Sequence, residues 1–183
     1  MKWLKSFVIV FFTLLLLEGC EKESETLFMD ILNNKQSFVT ENNQDIYLKD
    51  FEFSDGYYSV PTEYSFVDFN GDNKNEMIVN LSKDSVAYLV LHQEENSVYG
   101  FLFYRRELQQ IKTNGTFSST AGAGYTSYHK LNFKDKQCAI IDMAVVDNYK
   151  GEYLINGFKC SQNEVLDFVE NFNMTQNIEW IKF

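Results

Sequence analysis

Short runs of aromatic and β-branched residues, each followed by a polar turn, occupy most of residues 64–146 and constrain the fold more than any other feature. Residues of these types favour strands, and connections this short join antiparallel neighbours. The helical crossovers that a parallel sheet needs are absent, so we predict an antiparallel meander. The runs are YSFVDF, EMIVNLS, VAYLVLHQ, SVYGFLFY, YHKLNF and QCAIIDMAVV, with turns such as QEEN and KDK between them.

Helical spacing is found near both ends of the chain. Residues 27–39 place Leu27, Ile31 and Phe38 at helical spacing, which predicts a first helix. Ser161 and Glu164 have the spacing of a capping box, and apolar positions with a helical period follow them. The expected fold class is therefore α+β, a mainly antiparallel β-sheet meander with one helix near the mature N-terminus and one near the C-terminus.

Three other segments carry local signals. Asn156 and Gly157 tolerate the positive φ angles of a type I′ turn, so EYLINGFKC is predicted to be a hairpin, and the tail NIEWIKF is expected to return as a last strand. The small residues of 113–128 predict a long flexible loop. The tyrosines considered for stacking on a glycan or peptide are Tyr57, Tyr58, Tyr104, Tyr125 and Tyr128.

The first nineteen residues have the pattern of an export signal. Two lysines precede a twelve-residue apolar run that is too short to span a bilayer comfortably, although a buried helical hairpin is the alternative. The run ends in Leu17-Glu18-Gly19-Cys20, which resembles the lipobox of bacterial lipoproteins, with Glu18 in place of the usual small residue. We predict a lipoprotein signal peptide over 1–19, a lipidated Cys20 with a short tether over 20–26, and one domain over 27–183.

Composition limits the partners of that domain. The chain carries a net charge of −10, and residues 1–19 contribute two lysines and one glutamate, so the remainder carries −11. Nucleic acid and anionic headgroups are therefore poor partners for its surface. The membrane is expected as a partner only through the lipid on Cys20, which places the protein on the outer face of the bacterial cytoplasmic membrane, at the cell surface.

Oxygen-bearing side chains alternate along FVDFNGDNKNEMIVNL, between two predicted strands. Asp68, Asn70, Asp72 and Glu76 occupy positions one, three, five and nine, and Lys74 at position seven offers its backbone carbonyl. Calcium takes six to eight hard oxygen ligands, so this spacing predicts a cation site. The alternative is a metal-free turn, because Asn, Gly and Asp are good turn residues. An EF-hand is excluded by Val79 at position twelve.

This loop resembles the calcium loop between strands of FG-GAP and VCBS-type repeats, the integrin α kind, over about sixteen residues. The chain departs from that pattern at Asn70 and Asn73, where Asp and Gly are usual. The expected role of a bound calcium ion is structural, because three carboxylates that face each other in one loop repel until a cation neutralises them. FVDFNGDNKNEMIV and YLINGFKCSQNEVLDFVENF also resemble phrases of small lipoproteins of Gram-positive gut bacteria, a likeness that implies location and fold family and no activity.

Two cysteines remain once Cys20 is assigned to lipid. Cys138 and Cys160 lie at predicted strand positions, and an exported chain is free to pair them. Two buried thiols are the alternative, since free cysteine packs as a small hydrophobe. The sequence leaves both states open.

Two functions are consistent with these patterns. The preferred one is a non-enzymatic binding or interaction module with a structural calcium loop and an envelope glycan or protein ligand. The alternative is a cell-envelope hydrolase whose site the sequence does not assemble, because His92 and His129 lie outside any zinc motif and Ser119 and Ser127 lack the G-x-S-x-G context. A histidine and two carboxylates meeting in one cleft would favour the enzyme.

Overall fold

The structure is a computed structural model that describes residues 24–54, 56–82 and 86–183. The predicted signal peptide and Cys20 lie outside these residues. The first described helix includes residues 24–26, which the sequence assigned to the tether. No helix in these ranges is both long and apolar enough to cross a membrane.

Two α-helices and a short 3-10 helix accompany the strands of the described ranges. The helices are α1 (24–32), the 3-10 helix (Leu48–Asp50) and α2 (Gln162–Met174). The strands are β1 (Phe38–Thr40), β2 (Asp45–Ile46), β3 (Glu52–Ser54), β4 (Tyr57–Tyr58), β5 (Glu63–Val67), β6 (Glu76–Asn80), β7 (Ala87–Glu94), β8 (Ser97–Tyr104), β9 (Phe117–Gly122), β10 (Tyr125–Lys134), β11 (Gln137–Asp147), β12 (Glu152–Ile155), β13 (Phe158–Lys159) and β14 (Ile181–Lys182).

The strands form two main sheets and a small hairpin. The seven-stranded sheet has the order β14-β5-β6-β7-β8-β1-β2, the five-stranded sheet has the order β13-β12-β11-β10-β9, and β3 pairs with β4. Every pairing is antiparallel except that of β1 with β8. The predicted α+β class with a mainly antiparallel meander is confirmed.

The seven-stranded sheet is buried on both faces. Met77 and Val79 of β6 pack in the cluster that contains α1, whereas Ile78 packs on the other face in the cluster that contains Phe117 and Leu131 of the five-stranded sheet. All five residues of β6 are buried, which explains the unbroken apolar run of Met77, Ile78 and Val79 between Glu76 and Asn80. Each such aliphatic side chain contributes about 2 kcal/mol by leaving water.

Helix α2 covers part of the five-stranded sheet. Ser161 accepts a hydrogen bond from the Glu164 N–H and the Glu164 side chain accepts one from the Ser161 N–H, so the predicted capping box is confirmed. Val165 and Phe172 then pack against the sheet together with Tyr128. Tyr128 is buried there, which removes it from the tyrosines able to stack on a ligand.

The two other predictions for the C-terminal region, a hairpin turn and a last strand, are also confirmed. Asn156 and Gly157 have φ angles of 50° and 79° and join β12 to β13, as a type I′ turn requires. The tail returns as β14, which pairs with β5.

Two predicted boundaries are wrong. The first helix ends at residue 32, because Asn34 adopts a left-handed conformation with a φ of 57°, and Phe38 lies in β1. Residues 113–128 do not form a long loop, since most of the segment belongs to β9, to the start of β10 and to the turn between them. The glycines of that turn, Gly122 and Gly124, adopt φ angles of 143° and 82° that suit glycine.

Candidate functional site

Asp68 organises the loop that the sequence singled out. Its carboxylate accepts the backbone N–H groups of Gly71 at 2.7 Å, Asp72 at 3.2 Å and Asn73 at 2.8 Å. Gly71 and Asn73 have φ angles of 80° and 64°, so the chain turns through left-handed positions around this carboxylate. Protein groups alone therefore account for the turn at Asp68.

The other predicted ligands also have protein partners. Asn70 accepts the Asp72 N–H at 3.0 Å and its amide donates to the Asp72 carboxylate, which in turn accepts the Lys74 N–H. Glu76 accepts the Phe69 N–H at 2.9 Å. These hydrogen bonds are the ones that a metal-free turn would form.

Calcium at this loop stays a prediction. Among the described residues, no three His, Cys, Asp or Glu side chains are grouped so that they could hold a metal ion. If the loop binds calcium, millimolar calcium raises the melting temperature and EDTA lowers it, because a ligand that binds only the folded state stabilises it. A melting temperature that responds to neither addition contradicts the calcium site.

His92 and Glu76 form the first of two histidine–carboxylate pairs, here called the closed pair. His92 Nδ1 lies 2.9 Å from Glu76 Oε1, and side-chain exposures of 12% and 2% show that both groups are largely enclosed. Burial raises the pKa of Glu76, while the hydrogen bonds from His92 and Phe69 oppose that rise. The His92 ring stacks on the Phe133 ring, with ring centroids 4.2 Å apart and an interplanar angle of 7°. Since His92 lies on β7 and Phe133 on β10, the closed pair contacts both sheets.

His129 and Asp142 form the second pair, here called the open pair. His129 Nδ1 lies 2.9 Å from Asp142 Oδ1, but here the carboxylate is 64% exposed and the imidazole only 7%. The other ring nitrogen, Nε2, lies 2.7 Å from Ser119 Oγ, and Ser127 Oγ lies 3.0 Å from Ser119 Oγ. Serine, histidine and aspartate therefore follow one another in a hydrogen-bonded row.

Strand register builds this row from three adjacent strands. Ser119 of β9 is opposite Ser127 of β10, and His129, two positions further along β10, is opposite Asp142 of β11. Between these pairs, Tyr128 is opposite Ala144, so Met143 is the extra residue of a β-bulge. A bulge redirects the side chains beyond it, and here it brings Asp142 rather than Met143 opposite His129.

The row lines an open cleft of about 360 Å³, here called the Ser119 cleft. Its lining consists of Arg106, Glu107, Ser119, Thr120, Ala121, His129, Ile140 and Asp142. One histidine and two carboxylates thus meet in one cleft, the arrangement that favours an enzyme. Burial lowers the pKa of His129, and the charge and hydrogen bond of Asp142 oppose that change.

A larger cavity of about 440 Å³ lies near the chain's end. Tyr88 of β7 and Trp180 stack there with ring centroids 5.8 Å apart and planes 24° apart. Polar groups surround this aromatic pair. The cavity is lined by Tyr88, Arg105, Leu108, Gln109, Gln110, Ile111, Asn177, Ile178 and Trp180.

Both described cysteines are free thiols in the structure. Cys138 packs in the cluster between the sheets and Cys160 packs beside α2, in different clusters. Burial raises the pKa of Cys138 to about 12, so its thiol stays protonated at neutral pH and is a poor nucleophile.

No family model, no curated protein and no solved structure matches this chain. Functional inference therefore depends on the geometry of its own residues. Sequence reasoning misses the Ser119 row because residues 113–128 are predicted to be a loop and because Ser119 and Ser127 lack the G-x-S-x-G context. Read as a hairpin, the same segment places Ser119 opposite Ser127, two positions from His129.

Proposed function

We propose that this protein is a lipid-anchored extracytoplasmic module that binds an envelope saccharide in the cavity of Tyr88 and Trp180. The stacked aromatic pair on the wall of this cavity is the observation that carries the proposal. The proposed anchor is Cys20, and the proposed location is the outer face of the bacterial cytoplasmic membrane.

The cavity has the two kinds of group that a saccharide needs. Flat aromatic side chains pack against the apolar face of a sugar ring, and amide side chains exchange hydrogen bonds with its hydroxyl groups. Gln109 and Gln110 supply amides at the cavity, and its volume lies within the range of small-molecule sites.

Arg105 adds a preference for a negatively charged sugar. Its side chain lines the cavity and is exposed, and none of the described carboxylates forms an ion pair with it. A guanidinium group binds a carboxylate through two parallel hydrogen bonds. Saccharides that contain N-acetylmuramic acid combine such a carboxylate with an acetamido group, and they are the proposed ligand class.

Trp180 gives a direct optical test of binding. The chain contains two tryptophans, and Trp3 lies in the proposed signal peptide, so Trp180 is the only tryptophan of the proposed mature lipoprotein. In detergent micelles, soluble peptidoglycan fragments should change the Trp180 fluorescence in a saturable manner. Arg105→Gln should weaken the response, whereas Tyr149→Ala, at a tyrosine that is 77% exposed elsewhere, should leave it unchanged.

Fluorescence that stays constant throughout the titration contradicts the binding proposal. The anchor is tested separately by metabolic labelling with an alkyne fatty acid, because Cys20→Ser should abolish the label on the protein. A label that persists in Cys20→Ser contradicts lipidation of Cys20 and leaves the saccharide site untouched.

A second candidate function is hydrolysis, and one specific observation favours it. The Ser119–His129–Asp142 row lies in a different cleft from the Tyr88 and Trp180 cavity, so binding and hydrolysis do not exclude each other.

A further inference from the structure

We propose that Ser119 is the nucleophile of an esterase site, with His129 as its general base and Asp142 as the group that orients His129. The substrate class is carboxylic esters with a short acyl group. This inference rests on the hydrolysis candidate above and deepens it, and its residues are separate from those of the saccharide cavity.

The order of hydrogen bonds is the one that nucleophilic catalysis requires. Because the Asp142 carboxylate only accepts hydrogen bonds, His129 Nδ1 must carry the proton at their 2.9 Å contact. His129 Nε2 is then the acceptor for the Ser119 hydroxyl, 2.7 Å away. An activated serine needs such a base within reach and a third group that fixes the tautomer of the base.

Ser127 completes the orientation of the nucleophile. Since the Ser119 hydroxyl donates to His129, the 3.0 Å contact between the two serines is one in which Ser127 donates to Ser119 Oγ. Ser127 is buried, whereas Ser119 is partly exposed and lines the cleft. Ser119 Oγ thus accepts a hydrogen bond from a buried hydroxyl, while Ser119 itself faces the cleft.

The β-bulge at Met143 supports a catalytic role for the row of Ser119, His129 and Asp142. Regular pairing would place Met143 opposite His129, and the bulge places Asp142 there. Bulges recur beside active sites, where they redirect a side chain.

The imidazole is in the protonation state that a general base needs. Burial holds the pKa of His129 below its ordinary value, so the ring is neutral at pH 7 and its Nε2 is free to take the serine proton. The charged groups that line the same cleft are Arg106, Glu107 and Asp142.

Arg106 adds a positive charge to the lining of the Ser119 cleft. None of the described carboxylates forms an ion pair with its guanidinium, and its backbone carbonyl accepts the Thr120 N–H at 3.0 Å, next to the nucleophile. A cation that reaches the carbonyl oxygen of a bound ester stabilises the oxyanion of the tetrahedral intermediate, and Arg106 is the cationic residue of this lining. Ala121 and Ile140 give the cleft an apolar wall for a short acyl chain.

The reaction has two balanced halves. Ser119 Oγ bonds to the ester carbonyl carbon as its proton moves to His129 Nε2, and the carbon–oxygen bond to the alcohol then breaks as that proton passes to the alcohol. Water next attacks the acyl group on Ser119 and gives one proton to His129. Collapse releases the carboxylic acid and returns the proton to Ser119 Oγ.

Esters are preferred to amides because of the exposure of Asp142. An exposed carboxylate stabilises the imidazolium less than a buried one, and an amine is a poorer leaving group than an alcohol. We therefore expect slow turnover of activated esters and none of peptides.

The test uses the full chain in detergent micelles with p-nitrophenyl acetate and, separately, a fluorophosphonate probe. We expect Ser119→Ala to lower kcat/KM at least about 100-fold, because without the Ser119 hydroxyl the general base His129 has no nucleophile to activate, and general-base catalysis contributes about that much. Ser97→Ala, at a strand serine outside the cleft, should retain the activity. The probe should label Ser119 alone, as located by peptide mass.

Equal rates for the full chain and Ser119→Ala, or a probe adduct on another residue, overturn the proposal. If Ser119→Ala does not fold by circular dichroism, labelling of the unaltered chain decides. An adduct on Ser119 then supports the site, and no adduct overturns it.

Discussion

The closed pair and the open pair have the same chemical groups at the same distance and different surroundings. In each, histidine Nδ1 lies 2.9 Å from a carboxylate oxygen. The carboxylate of Glu76 is enclosed and also holds the Phe69 N–H, whereas that of Asp142 faces water. The remaining nitrogen of His129 meets a serine, while the ring of His92 is stacked on Phe133.

From this difference we infer that the closed pair stabilises the fold and that the open pair takes part in catalysis. An enclosed carboxylate cannot lose its partner without leaving buried donors unsatisfied, so the closed pair is tied to stability. An exposed carboxylate contributes little to stability, so the open pair is free to serve reactivity. The predictions below test this division, beginning with the largest expected effect.

Removal of each carboxylate should have unequal consequences for stability. Glu76→Ala leaves the Phe69 N–H and His92 Nδ1 without acceptors in the interior, and we expect it to lower the free energy of unfolding by about 3 kcal/mol. Asp142→Ala should lower it by about 1 kcal/mol or less, because water at this exposed position replaces the carboxylate as the acceptor for His129 Nδ1. Urea denaturation of both variants measures the difference, and equal losses would remove the distinction between the pairs.

The stacked ring of Phe133 should matter to stability and not to hydrolysis. Phe133→Ala removes the contact between the two sheets at His92, and we expect a loss of about 2 kcal/mol. Phe158→Ala is the matched control, because Phe158 is 78% exposed, and it should change stability little. A Phe133 variant that keeps full stability shows that the closed pair does not join the sheets.

The pH dependence of stability should have opposite signs at the two pairs, and we expect this effect to be the smallest. The raised pKa of Glu76 means that the folded state binds more protons above pH 4.5, so its contribution falls as pH rises through the folded pKa. The lowered pKa of His129 means that the unfolded state binds more protons below pH 6.5, so stability falls as pH falls toward the folded pKa.

Urea denaturation across pH 4 to 8 separates these two contributions. Glu76→Gln should remove the fall of stability with rising pH, and His129→Gln should remove the fall with decreasing pH. Slopes that both variants leave unchanged would show that neither group titrates as its surroundings indicate.

Local signals carried most of the fold prediction. The Asn156-Gly157 turn, the Ser161 capping box and the strand runs each depend on neighbours in sequence, and the structure contains all of them. The first helix was predicted too long because Phe38 continues the helical spacing, although the left-handed Asn34 ends the helix before it.

The candidate site depends on contacts between strands that the spacing of residues in the sequence does not predict. Ser119, His129 and Asp142 meet only because β9, β10 and β11 pair in one register with a bulge at Met143. Small residues in 113–128 predict a loop, and Ser119 lacks the G-x-S-x-G context, so neither signal indicates a catalytic serine. The two-residue spacing of Ser127 and His129 along a strand is the one sequence signal that places their side chains on the same face of the sheet.

The pH profile of ester hydrolysis tests the division between the pairs most directly. In the full chain, kcat/KM for p-nitrophenyl acetate should rise with pH as His129 loses its proton. Asp142→Asn removes a charge that raises the pKa of His129, so the acid limb should move to lower pH, whereas Glu76→Gln should leave the limb in place. A limb that moves in both variants, or in neither, would contradict the assignment of chemistry to the open pair.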